Sequence, residues 1–218
     1  MGVAKKLTAS QARGNRKFLY SWGTATTGQL GDGILTSRSF PQLVNQQQWI
    51  AVAANRNIPS TLSNSAAMAI DSDGLLYTWG PFNNGQLARR TFVESPVQIG
   101  NSSWTSVAGG FQHSLAIRSD GLLFAWGDNR SGQLGNQNTI SQQSPVQIGN
   151  SSWTSVAGGG SHSLAIRNDG LLFTWGDGIS GQVGDGFAVI RSSPAMLVQL
   201  LFPICTGEER LTAKPSPT

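Results

Sequence analysis

Internal repetition constrains this chain more than any other property. The stretch Trp104–Gly135, WTSVAGGFQHSLAIRSDGLLFAWGDNRSGQLG, returns nearly verbatim at Trp153–Gly184 as WTSVAGGGSHSLAIRNDGLLFTWGDGISGQVG. A looser copy spans Trp49–Ala88, and half a copy spans Phe18–Gly31. Four anchors keep the register. Trp-Gly pairs fall at Trp22, Trp79, Trp126 and Trp175, spaced 57, 47 and 49 residues apart. A Gly-Gln step follows each at Gly28, Gly85, Gly132 and Gly181, then a proline at Pro41, Pro96, Pro145 and Pro194. An aromatic residue comes eight positions after each proline: Trp49, Trp104, Trp153 and Phe202. Repetition near 50 residues indicates an array of one supersecondary unit, each copy burying its faces against its neighbours.

The unit reads as β-structure. His113–Ile117 and Leu122–Trp126 are runs of strand length flanking Ser119-Asp120-Gly121, and Asp-Gly between apolar runs signals a hairpin. Leu115 and Ile117 share one parity, as do Phe124 and Trp126, with Ala116 and Ala125 opposed. That spacing predicts a bulky and a thinner face for each hairpin. Val107-Ala108 supplies a further strand, and Pro145–Ile148 an edge strand, where proline is tolerated.

The full pattern W-x-x-V-A-G-G-x-x-H-S-L-A-I-x-x-D-G-L-L-F-x-W-G-x-x-x-x-G-Q-L-G resembles the regulator of chromosome condensation repeat family, over about residues 18–207. The resemblance implies an all-β fold, a partial or small β-propeller of about four blades, with antiparallel sheets of up to four strands each. It also brings two activities known in that family as alternatives: guanine-nucleotide exchange on a small GTPase, and inhibition of an enzyme by a capping rim.

The array divides into a half unit 18–48, units 49–97, 104–146 and 153–195, and a partial strand 202–207. A basic arm, 1–17, precedes it, and a polar tail, 208–218, follows. The middle strand of a further blade is absent from both 18–48 and 202–207, so an open arc completed by a neighbouring chain or another protein is the economical expectation.

Charge is sparse at 12% of residues, and the net +4 is uneven. Residues 1–17 hold Lys5, Lys6, Arg13, Arg16 and Lys17 with no acid, giving +5; the remainder is 4 − 5 = −1. A nucleic-acid contact is therefore expected only through the arm. The single Cys205 cannot form an intrachain disulfide. No apolar run is long enough for a membrane-spanning helix, and no signal peptide is evident, so membrane insertion is not expected. The expected location is cytoplasmic synthesis, with a virion as an end point.

The chemical candidates read as scaffold. His113 and His162, one per unit, are expected to brace a blade or its neighbour and not to share a metal. Asp73, Asp120 and Asp169 belong to turns, and Gln29, Gln86, Gln133 and Gln182 to repeated backbone braces. No cofactor, metal or catalytic set is expected. Positions that vary between units remain for recognition. The expected partner-binding residues are Arg56, Asn57 and Ile58, in an eight-residue insertion within Asn55–Ser65, together with Phe111 and Gln112. These, with Gly160-Ser161, are placed on one rim. Thr24–Thr27, Pro81–Asn84, Asp128–Ser131 and Asp177–Ser180, with the variable spans that follow them, are placed on the other. The expected function is a non-enzymatic protein-interaction or scaffolding module, with a subunit of a phage or virus particle as its narrower form.

Overall fold

The computed structural model describes residues 17–55, 65–82 and 85–197. Twelve strands account for the regular structure, with no helix among the described residues: β1 (Tyr20–Gly23), β2 (Arg38–Leu43), β3 (Trp49–Ala54), β4 (Ala67–Asp71), β5 (Leu75–Gly80), β6 (Val93–Gly109), β7 (His113–Arg118), β8 (Leu122–Gly127), β9 (Gln142–Gly158), β10 (His162–Arg167), β11 (Leu172–Gly176) and β12 (Arg191–Met196). All pairings are antiparallel. Blade I is the two-stranded sheet β1-β2. Blade II is β3-β4-β5 with the first part of β6, blade III the rest of β6 with β7, β8 and the first part of β9, and blade IV the rest of β9 with β10, β11 and β12.

The two 17-residue strands thus each close one blade and open the next. Gly100 and Gly149 lie within them at φ +57° and +60°, a left-handed conformation that glycine adopts at little cost. The near-identical units at 104 and 153 fold alike, as a repeat requires. The described part is an all-β partial propeller.

The predicted bulky and thin faces are not what forms. Leu115 lies opposite Ala125, Ala116 opposite Phe124, and Ser114 opposite Trp126. The antiparallel register sets these large side chains beside small ones, with Ile117 opposite Leu123 as the exception, so both faces carry bulky groups and differ in kind. One face of blade III carries Leu115, Ile117 and Leu123 and packs on Trp153, Phe173 and Trp175 of blade IV. The other carries Trp104, Phe124 and Trp126 and packs on Met68, Ile70 and Leu76 of blade II. Every blade therefore meets its successor aliphatic face to aromatic face. Trp104 and Phe124 meet edge to face at 5.2 Å, as do Trp153 and Phe173; such pairs add about 1 kcal/mol to area burial.

Hydrogen bonds repeat with the packing. The indole N–H of Trp79 donates to the Gln29 carbonyl (3.2 Å), that of Trp126 to Gln86 (2.9 Å), and that of Trp175 to Gln133 (2.9 Å). Ser114 and Ser163 Oγ donate to the same carbonyls of Gln86 and Gln133. These three buried indoles thus keep their one polar atom satisfied, whereas the buried Nε1 atoms of Trp104 and Trp153 have no partner among the described residues. The Gln side chains brace their own loops: Gln29 Oε1 accepts from Thr27 N–H at 2.9 Å, Gln133 Oε1 from Ser131 N–H at 2.9 Å.

Candidate functional site

A four-stranded meander has three connections. The first and third leave from the same end of the blade, the second from the opposite end. His113 pairs with Gly127 and His162 with Gly176. This places the turn after each first strand beside the loop after each third strand. The Asp128 N–H donates to the Gln112 carbonyl and the Asp177 N–H to the Ser161 carbonyl, both at 2.8 Å. The variable segments expected on two rims therefore share one. The other rim carries the Asp-Gly hairpins and the crossovers. Sequence spacing does not reveal this; strand direction does.

Of the residues expected to bind a partner, the described ones, Phe111 and Gln112, lie on that rim. Phe111 is half-buried, and its N–H donates to the Gly160 carbonyl of blade IV at 3.0 Å. Gln112 is also half-buried, with its Oε1 3.4 Å from Arg130 Nη2. Both brace the rim more than they project from it. Arg56, Asn57 and Ile58 lie outside the described residues, as do Lys5, Lys6, Arg13, Arg16 and the segments 202–207 and 208–218. Lys17 is exposed, and its carbonyl accepts the Trp49 N–H at 3.0 Å.

What projects instead are the long loops after the third strands. In blade III the Asp128 carboxylate is buried and accepts from Arg130 Nε and Gln133 Nε2, each at 2.9 Å. Asn129, fully buried, accepts the Leu134 N–H and donates to Asn136 Oδ1 and the Asn138 carbonyl. This polar frame fixes residues 128–141 and leaves Ile140 67% exposed. In blade IV, Asp185 accepts from the Phe187 N–H and Arg191 Nε, and Phe187 and Ile179 are each 63% exposed. In blade I, Asp32 accepts from the Ile34 N–H and Arg38 Nε, with Ile34 and Leu35 exposed. The Arg191 guanidinium and the Phe187 N–H hold the Asp185 carboxyl below the usual range. Each loop is thus pinned by buried or paired polar groups and offers an apolar tip. Ile179 lies in Asp177–Ser180, a segment the sequence already set aside as variable, and Ile34, Ile140 and Phe187 lie in the variable spans that follow such segments; the sequence did not single out which side chains project.

The two histidines take structural places. Ser163 Oγ donates to the Gln133 carbonyl, so it must accept from His113 Nε2 at 2.8 Å. That fixes the Nε2–H tautomer of a neutral ring and leaves Nδ1, also buried, without a partner among the described residues. Burial, partly offset by the Asp128 charge, pushes the His113 imidazole down to about 4. His113 braces blade III to blade IV. The rings of His113 and His162 occupy the space where a side chain at Gly110 and Gly159 would stand. In blade II alanine (Ala66) replaces the histidine, and Asn55 stands at the glycine position. Its buried Nδ2 donates to the carbonyls of Gly110 (3.1 Å) and His113 (2.7 Å). Asp120 and Asp169 accept the N–H of Leu122 and Leu171 and pair with Arg118 and Arg167, as turn residues. In blade II that acceptor is Asp71, not Asp73: it takes the N–H of Asp73 and Leu75. No group of three metal-ligating side chains occurs among the described residues.

The repeat model described as the regulator of chromosome condensation (RCC1) repeat matches residues 73–117 and 120–166, and a second model of the same description matches 104–133 and 153–182. The chain belongs to the RCC1 repeat family. Human WBSCR16 is similar in structure, at 25% identity and a TM-score of 0.70 over 82% of this chain and 48% of that one. Yeast RCC1 (Prp20), solved bound to Kap60, gives 22% and 0.72 over 85% of this chain and 45% of that one. Prp20p of Saccharomyces cerevisiae, described with its binding properties to Gsp1p and histones, gives 23% and 0.72 over 85% and 47%. At these identities the two yeast structures speak to fold alone. The RCC1-type array here spans a little under half the length of the solved chains it matches. No curated protein matches the sequence.

Proposed function

We propose that this chain is a non-enzymatic protein-interaction module, and that it engages a protein partner through the rim formed by the loops after the third strands. One observation carries the reading: apolar tips such as Ile34, Ile140, Ile179 and Phe187 stand exposed on loops that polar frames hold in place. Exposed apolar side chains on rigid supports suit a contact surface, because little conformational entropy remains to be lost on binding. Prp20p, which shares the fold, is itself described with binding properties to Gsp1p and histones, and the proposed role is of the same general kind. The narrower form is a subunit of a larger assembly, such as a phage or virus particle, which would seat these tips against neighbouring chains.

The test is affinity capture from the native source with three baits: wild type, the double variant Ile140→Asp/Phe187→Asp, and a control on the opposite rim, Asn168→Ala. Loss of the captured protein with the double variant alone is the expected result. Capture unaffected by the double variant, or lost with the control, rejects the rim assignment.

A further inference from the structure

The interface between successive blades occurs three times, and its two halves are also present singly at the ends of the described array. Blade IV supplies the aliphatic half. Ile166 is 40% exposed, whereas its counterparts Ile117 and Ile70 are 2% and 0% exposed. Leu172 is 36% exposed, against 0% for Leu123 and Leu76. Leu164 is half-buried where Leu115 and Met68 are fully buried. The loop beside this face is vacant in the same sense. A Cβ at Gly28 would lie 2.8 Å from the Val93 carbonyl oxygen, one at Gly85 2.9 Å from that of Gln142, and one at Gly132 2.8 Å from Ser192 Cα. In each case the neighbour is the start of the next blade's last strand. A Cβ at Gly181 or Gly186 would meet no described residue.

Blade I supplies the aromatic half. Trp22 and Tyr20 occupy the positions of Trp79 and Tyr77, which pack at the I–II interface through Trp49, Leu19 and Val44. Both are half-buried, and Trp22 donates to no acceptor among the described residues, whereas Trp79, Trp126 and Trp175 all do. Phe40, 61% exposed, stands at the position of Ser95, whose hydroxyl faces Gly33 across the I–II interface.

We propose that these two end faces dock on each other, so that copies of this chain associate head to tail, blade IV of one on blade I of the next. The occupant is a second copy because the contact continues an interface already formed three times by the same residue types. Trp22 Nε1 would donate to the Gln182 carbonyl, as Trp79 does to Gln29. The strand beginning at Arg38 would enter the space beside Gly181, and Tyr20, Trp22 and Phe40 would cover Leu164, Ile166 and Leu172. The two surfaces are different patches on one molecule, so the contact is heterologous and builds a ring or an open chain of copies.

The experiment uses the full chain with two single variants, Trp22→Asp in the aromatic face and Ile166→Asp in the aliphatic face. Masses are read by size-exclusion chromatography with light scattering at tens of micromolar, and folding by near-ultraviolet circular dichroism. Wild type is expected at or above twice the 23.1 kDa chain mass. Each variant alone is expected to be monomeric, because every possible contact lacks one good half. Mixing the two restores one good contact and gives a 1:1 dimer. A monomeric wild type overturns the proposal, including the case in which residues 198–218 of the same chain cover blade IV. Either variant still associating alone, or a mixture that stays monomeric, also overturns it. Should an aspartate variant fail to fold, Trp22→Ser and Ile166→Ser replace the pair, and the wild-type mass stands without any variant.

Discussion

Replacing His113 by alanine should remove a defined part of the acid sensitivity of this protein. The ring is fully buried, neutral and bonded to Ser163, with its pKa lowered to about 4 by burial. In the unfolded chain it titrates near 6.5. The folded state therefore binds fewer protons than the unfolded state between these values. Stability is complete above about pH 6.5 and falls as the pH drops toward 4, after which the loss levels off. Across the whole window the loss is about 3 kcal/mol, and between pH 8 and pH 5 it is about 2 kcal/mol, from about 1.4 kcal/mol per pKa unit. His162 is shifted in the same direction by burial and remains in the variant, as do the carboxylates, so the comparison isolates one group. The assay is urea denaturation of wild type and His113→Ala at pH 8 and pH 5. The variant is less stable at both pH values, because it loses a buried contact. The stability difference between pH 8 and pH 5 should be smaller in the variant by about 2 kcal/mol. An equal pH dependence in the two proteins refutes the neutral, desolvated ring.

Other substitutions test the blade interfaces, all by thermal or urea denaturation. Ser163→Ala leaves the His113 Nε2–H buried without its acceptor and should cost about 1–3 kcal/mol, lowering Tm by roughly 4–8 °C for a cost of about 2 kcal/mol in a chain of this size; an unchanged Tm would remove the brace. Gly132→Ala combines φ +70° with a Cβ 2.8 Å from Ser192 Cα and should cost about 2–4 kcal/mol. Gly149→Ala shares the left-handed φ but meets nothing within 4 Å, so it should cost only about 1 kcal/mol; equal costs would contradict close blade packing. Trp126→Phe deletes the donor to Gln86, whose carbonyl keeps Ser114, and should cost about 1–2 kcal/mol, including the space left.

Much of the interior was legible from side-chain types alone. The recurring Trp-Gly, Gly-Gln and Asp-Gly steps gave the strands and hairpins, because each is a local backbone requirement. The glutamine braces were legible for the same reason. The expectation of thick and thin faces failed because parity was read along each strand, whereas a face is set by which residues lie opposite across the register. Leu115 beside Ala125 and Ala116 beside Phe124 are facts of pairing. The rim assignment failed in a related way. Phe111 and Asp128 are far apart in the pattern, yet an even number of strands between two connections returns the chain to the same end.

The sequence by itself determined the repeated unit, its β character and the aromatic anchors that must be buried, since periodic apolar residues and turn glycines act over a few positions. Only the tertiary structure decided what each repeated group touches. The indole of one blade finds the glutamine carbonyl of the preceding one, the histidine finds a serine in the next, and Ile166 is left open where Ile117 is closed. Those outcomes depend on neighbouring blades in space, and nearly identical stretches of sequence carry no mark of which neighbour they will have.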